Sequence, residues 1–251
     1  MTAVVRKYGL KKSPPQPTDR DLVFSVGVKL PPTVDLRLKC PAIYDQGDLG
    51  SCTANAGCCA VEFDMRAQKQ PLLTTSRLFL YYNERVREGD VPEDAGASLS
   101  TCIQSIGSDG VCSEALYPYL IAHFTEKPSP AAYAQAKLHK GLKSFVLHQN
   151  LYELQHCLAI VGRPFIFGIE VYESFESDAV AKTGIVPMPH RNHEKLLGGH
   201  AICCVGYKPG YLICRNSWGV GWGDHGYLYL PNAYALDPQL SSDFWCLQTI
   251  K

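Results

Sequence analysis

The sequence predicts an α+β protein of two lobes with a cleft between them, and three observations carry that prediction. Helical periodicity dominates up to about residue 120, aromatic and β-branched runs dominate after it, and 251 residues suffice for two lobes of about 100–150 residues each. The chain opens on a proline-punctuated stretch: KKSPPQPTD and KLPPTVD have no helical period, and residues 1–34 read as an extended surface segment. From Cys52, CTANAGCCAVEFDMRAQKQ repeats Ala54, Cys58, Val61 and Met65 at helical spacing and ends at Gln70-Pro71. A second helix fits SRLFLYYNERVRE, capped by Ser76 and stopped by Gly89. A third fits SLSTCIQSIGSDG, opened by Ser98 or Ser100 and closed at Gly107 or Gly110. After it, KSFVLH, PFIFGIEVY, HAICCVGYKPGYLICRNS and GYLYLP read as strands, with LYELQHCLAIVG one helix among them and GYKPGY a hairpin turn. The divisions expected are an extension at 1–34, a helical lobe at 35–120 and a strand-rich lobe at 121–251.

Composition narrows the function. The 24 basic and 24 acidic side chains cancel, and no basic run exceeds Lys11-Lys12, so neither nucleic acid nor a membrane surface is expected as partner. No apolar stretch approaches the ~18 residues of a membrane span; LAIVGRPFIFGIEV is broken by Arg163-Pro164. The N-terminus has no apolar block suited to a secretory signal. Eleven cysteines without a disulfide-scaffold density, and no Asn-x-Ser/Thr acceptor, read as mostly buried reduced thiols in a cytoplasmic or otherwise reducing, intracellular compartment. No Cys-x-x-Cys occurs, and His190-x-x-His193 has no second ligand pair, so neither metal nor cofactor is expected.

One cysteine stands out. In YDQGDLGSCTANAGCC, Cys52 follows Gly50-Ser51 at the start of a helix, where unpaired N–H groups favour a thiolate. Gln46, six residues upstream, adds a side-chain amide suited to an oxyanion. A cysteine at a helix start is more often a structural thiol, so the assignment depends on a base and a group that orients it. His200 in LLGGHAICCVGY supplies the base and Asn216 in RNSWGVGWGDHGY the orienting group, with Trp218 placed to cover their hydrogen bond.

Taken in order, Gln46, Cys52, His200 and Asn216 resemble the papain family of cysteine peptidases, and the 148 residues from Cys52 to His200 fit the family interval. TVDLR at 33–37, GVCSEALYPY at 110–119 and GWGDHGYLYLP extend the resemblance over most of the chain. It implies a papain-like fold, a helical left domain and a β-barrel-like right domain flanking the cleft. It also implies peptide-bond hydrolysis through a thioester, with Cys52 as nucleophile, His200 as base, Asn216 as orienter and Gln46 with the Cys52 N–H as oxyanion donors. Substrate binding is expected at Gly198, Gly199, Ala201 and Trp218, with Phe244 or Trp245 closing the far end of one subsite. Polypeptide substrates and protein inhibitors are the partners implied, for a monomeric, cathepsin-like endopeptidase.

The departures matter as much. Thr53 follows the nucleophile where the family usually has an aromatic residue, and Leu49 stands where a disulfide cysteine is usual. Both resemble a divergent branch with QGxLGSCTANA known from bacteria, archaea and large DNA viruses. EDAGASL lacks the family's subsite glycine pair. Residues 1–34 are too few and too proline-rich for the usual helical propeptide, and are expected to pack on the body or lie across the cleft as a short cover. Two rival functions share the same residues: a peptide-binding scaffold without turnover, and a thiol acyltransferase whose acyl-enzyme is intercepted by an amine.

Overall fold

The structure, a computed structural model, describes residues 6–14, 27–140 and 142–249. Its helices are α1 (Cys52–Ala67), α2 (Arg77–Glu88), α3 (Leu99–Ser108), α4 (Pro130–Ala136), α5 (Leu151–His156), α6 (Asp178–Thr183) and α7 (Asn232–Leu236). Its strands are β1 (Leu10–Lys11), β2 (Val34–Asp35), β3 (Ala97–Ser98), β4 (Leu142–Val146), β5 (Phe165–Tyr172), β6 (Leu196–Lys208), β7 (Tyr211–Arg215), β8 (Tyr227–Pro231) and β9 (Ser241–Thr249).

The long helices form where capping and spacing predict them. Ser76 Oγ accepts the Phe79 N–H at 3.0 Å to open α2, and Gly89, at φ 80°, closes it in the left-handed region. Ser98 caps α3 through the Thr101 N–H. α1 differs from a one-faced amphipathic helix: every residue from Cys52 to Met65 is buried. It lies between α2 and α3 on one side and β6 and β9 on the other, so it has no solvent face. Its small residues permit this; a Cβ on Gly57 would stand 2.5 Å from Cys102 Sγ.

The later half is a seven-stranded antiparallel sheet with the path β4-β9-β5-β6-β7-β8, and β2 pairs with β6 off that path. Strand β2 thus ties residues 34–35 to the sheet before the helical half begins. The β6–β7 hairpin turns through Pro209-Gly210, with Gly210 at φ 83°. The helix expected over residues 151–162 is α-helical only to His156; Cys157–Val161 widen into a π turn that Gly162 ends. One apolar cluster runs through both halves, and all eleven cysteines are free and buried. The start of α1 therefore abuts β6 near the residues at which each half brings its reactive side chain.

Candidate active site and the segment across it

Cys52 is the first residue of α1. The side chain of the cap residue Ser51 accepts no backbone N–H of the helix; its hydroxyl lies 2.5 Å from Tyr119 Oη and accepts from the Asn55 side-chain amide at 3.0 Å. The first N–H groups of the helix are thus left for the site. The backbone N–H groups of Ala201, Gly9 and Thr53 favour the thiolate form of Cys52. Ala201 follows His200 on β6, so the sulfur lies against the strand that carries the imidazole. His200 Nε2 is 2.8 Å from Asn216 Oδ1, and Asn216 Oδ1 also accepts the Ser217 N–H at 2.8 Å. That oxygen can only accept, so the ring presents Nε2–H to it and keeps a lone pair on Nδ1. Nδ1 is buried without a hydrogen-bond partner among the described residues. Trp218 covers the imidazole, ring centroids 5.0 Å apart, and is itself packed against Phe175 and Trp222.

Gln46, buried, is held from both ends of its amide. Ser217 Oγ donates to its Oε1 at 2.5 Å, and its Nε2 donates to the Leu49 carbonyl at 3.0 Å. Ser217 therefore decides which way the amide points, a role the sequence reading did not assign.

Residues 6–14 run along the cleft over this site. Gly9 lies at the nucleophile: a Cβ there would come within 2.0 Å of the Gly50 carbonyl oxygen. The Gly9 carbonyl accepts the Ala97 N–H at 2.8 Å, and β1 pairs in parallel with β3. The Tyr8 ring meets His200 and Trp218 edge-on at 6.2 and 6.3 Å, and its hydroxyl bonds Glu176. The Arg6 guanidinium stacks on Trp218 at 3.9 Å. Leu10 points at Gly168. Of the segment expected to pack on the body or lie across the cleft, residues 6–14 lie over the site, and the rest of residues 1–26 lies outside the described residues.

The profile of papain family cysteine proteases matches residues 30–240. The chain belongs to the papain family. It is 41% identical over 217 residues to a peptidase C1-like protein of Acanthamoeba polyphaga mimivirus, covering 82% of this chain and 69% of that one. Chicken cathepsin K is 29% identical, and the match spans 87% of this chain and 64% of the cathepsin. Among solved structures, xylellain, a cysteine protease from Xylella fastidiosa, superposes with a TM-score of 0.91 at 36% identity, covering 97% and 96% of the two chains. The chain is a cysteine peptidase of this family, with the α+β architecture that the family implies, and such peptidases act on polypeptides.

Burial dominates the electrostatic state of the two reactive groups. Burial pushes the Cys52 thiol up to about 11, against the N–H bonds and with the Glu84 carboxyl adding to the rise. Burial pulls His200 down to about 4, with the Asn216 bond opposing and the Arg6 charge adding to the fall. Both groups are neutral beneath the segment. The helix start still favours the thiolate, and desolvation under the segment opposes it.

Of the expected binding residues, Gly198 meets the Tyr8 side chain, Gly199 meets Leu10, and Trp218 meets Arg6 and Tyr8. Ala201 is buried, and its backbone N–H is one of the groups that favour the Cys52 thiolate. The expectation for Phe244 and Trp245 is corrected: Phe244 stacks on Phe167 in the core and Trp245 pairs with Val146. Ser242 and Asp243 line the pocket beside Leu10 instead, because β9 shifts register between its pairings at Ile166 and Gly168. Thr53, the departure beside the nucleophile, also acquires a reason. Its hydroxyl donates to Glu84 Oε2 at 2.7 Å. Burial raises that carboxyl to about 8, so it stays neutral behind the dyad at pH 7. An unbranched charged residue in the middle of α2 gave no local signal that it would face inward.

Proposed function

We propose that Cys52 attacks the scissile carbonyl, His200 takes its proton and returns it to the leaving amine, and Asn216 fixes the imidazole. Water then hydrolyses the thioester with His200 as base. The observation that carries this reading is the His200 Nε2–Asn216 Oδ1 bond at 2.8 Å, which leaves Nδ1 for a proton beside the strand against which Cys52 rests. Gln46 and the Cys52 N–H serve the oxyanion: one amide hydrogen of Gln46 is used by Leu49 and the second remains for a ligand. Endopeptidase action is supported by residues 6–14, which extend past Cys52 in both directions, from Arg6 on Trp218 to Ser13 at the Ser100 N–H. Residues 6–14 act as a cover, since they bury Cys52 and His200 and keep both neutral.

The test is intact mass after treatment with a peptidyl epoxide, comparing the full chain, Cys52→Ala and a full chain carrying Gly9→Val. The valine would clash with the Gly50 carbonyl and expel the segment. A single adduct that forms faster on Gly9→Val and is absent from Cys52→Ala is the expected result. A folded Gly9→Val protein that stays unlabelled would favour the scaffold without turnover, which the buried Cys52 otherwise supports. Product analysis with added amine separates hydrolysis from acyl transfer.

A further inference from the structure

The segment in the cleft is itself a bound peptide, and its side chains alternate between two walls as extended backbone requires. Tyr8 and Leu10 face the sheet side, at Gly198 and at Gly168 and Gly199. Lys7 and Lys11 face the other wall, built by the end of α2 and the loop after it. Lys7 Nζ lies 2.7 Å from Asp94 Oδ2. Lys11 Nζ lies 2.8 Å from Glu88 Oε2 and also pairs with Asp90.

Two of these carboxylates, Asp94 and Glu88, are fixed by the body of the protein, independently of the lysines. Asp94 Oδ1 accepts the Gly50 N–H at 3.0 Å and the Tyr81 hydroxyl at 2.5 Å, which turns Oδ2 toward the cleft. Glu88 Oε1 accepts the Ser98 N–H at 2.8 Å and the Thr101 hydroxyl at 2.7 Å, which turns Oε2 the same way. Asp90 adds a third charge, its Oδ1 buried without a hydrogen-bond partner among the described residues. The nearby Arg85 guanidinium is committed to the carbonyls of Val91, Glu93 and Phe124. The chain as a whole has no net charge, so this acidity is local. When the segment leaves, preorganised acceptors face an open cleft without their cations.

We propose that Glu88, Asp90 and Asp94 form a cation-selecting wall, and that the substrates are polypeptides carrying Lys or Arg two residues from the residue lying against Cys52. The inference rests on the peptidase reading above and adds the substrate class to it. It follows from preorganisation: a neutral side chain on that face would leave the fixed carboxylates covered and unpaired, whereas an ammonium or guanidinium restores the pairs that Lys7 and Lys11 make.

The experiment uses the full chain with Gly9→Val and a set of internally quenched peptides identical except for Lys, Arg, Gln or Glu at positions flanking the scissile bond. The expected result is a kcat/KM about tenfold or more higher for Lys or Arg than for Gln at one of the positions two residues away, and lower for Glu. Raising the salt concentration should shrink that ratio, and adding Asp90→Asn should shrink it further. Equal cleavage of Lys, Gln and Glu peptides at every position, with Cys52 labelled by the epoxide, overturns the proposal and leaves the peptidase reading standing. No cleavage and no labelling of a folded protein overturns both. Should Gly9→Val not fold, Lys11→Glu sets a like charge against Glu88 and Asp90 and frees the same end of the cleft for the same readouts.

Discussion

The two walls of the cleft hold the same strand by different physics. The helical wall, from α1 to β3, offers hydrogen bonds and charge: Ala97 N–H to Gly9, and carboxylates to Lys7 and Lys11. The sheet wall offers shape: Gly198 at φ 148° and Gly199 leave room for Tyr8 and Leu10, and Trp218 lies under Arg6. The difference teaches that the catalytic groups and the binding groups are not divided between the walls. Each wall brings one reactive side chain on a rigid element, Cys52 on α1 and His200 on β6, and surrounds it with a different kind of contact.

The strongest test of that division lies at the chemistry. Cys52→Ala and His200→Ala should each lower kcat/KM by about 10⁴-fold or more; substantial turnover in either would dissolve the pairing of the walls. Gln46→Ala, which removes an amide held by Leu49 on one side and Ser217 on the other, should cost on the order of 10²–10³-fold in kcat with little change in KM. A loss in KM instead would make Gln46 a substrate contact rather than an oxyanion donor.

Acid should weaken the hold of both walls together. His200 is held near 4 under the segment, chiefly by burial, against about 6.5 in the open, so the open form takes up the proton as pH falls below 6.5. The cover is fully seated above that value and loses on the order of 3 kcal/mol by pH 4. Burial raises the Glu88 pKa, but the bonds from Lys11, Thr101 and Ser98 outweigh it and hold it low. Its contribution is therefore present above the ordinary carboxylate range and is lost as pH falls through it, in the same direction. The Ala97 amide, bonded to Gly9, reports the opening: its hydrogen-exchange protection factor should collapse between about pH 6.5 and 4, and a constant factor would contradict this account.

Two smaller substitutions compare the walls directly. Gly198→Ala puts a Cβ 2.7 Å from that of Tyr8 at a backbone angle that side chains rarely adopt. It should loosen the segment by about 1–3 kcal/mol, read as faster epoxide labelling of Cys52. Lys7→Ala removes a pair whose lysine is half exposed and should loosen it by less than about 1 kcal/mol. The reverse order would mean that charge, rather than shape, seats the cover.

Much of this was legible in the sequence because it is local. The caps at Ser76 and Ser98, the stop at Gly89 and the turn at Pro209-Gly210 act within one or two helical turns or one hairpin. The order Gln46, Cys52, His200, Asn216 was legible for a different reason: reaction chemistry demands those side chains, and neighbours such as Gly50-Ser51 and Trp218 mark their surroundings. The end of the pocket beside Leu10 was not legible. A register shift in β9 puts Ser242 and Asp243 there in place of Phe244 and Trp245, and register is set by pairing across the sheet.

By itself, then, the sequence determined the three long helices α1 to α3, the hairpin, the reactive residue types and their order, because short-range capping, turn chemistry and periodicity act on neighbours along the chain. Only the tertiary structure decided that α1 is buried on every side, that Thr53 is tied to a neutral Glu84, and that Lys7 and Lys11 meet fixed carboxylates across the cleft. It also decided the protonation of the dyad: burial depends on what is packed above Cys52 and His200, and residues about 40 positions before Cys52 in the chain supply that cover.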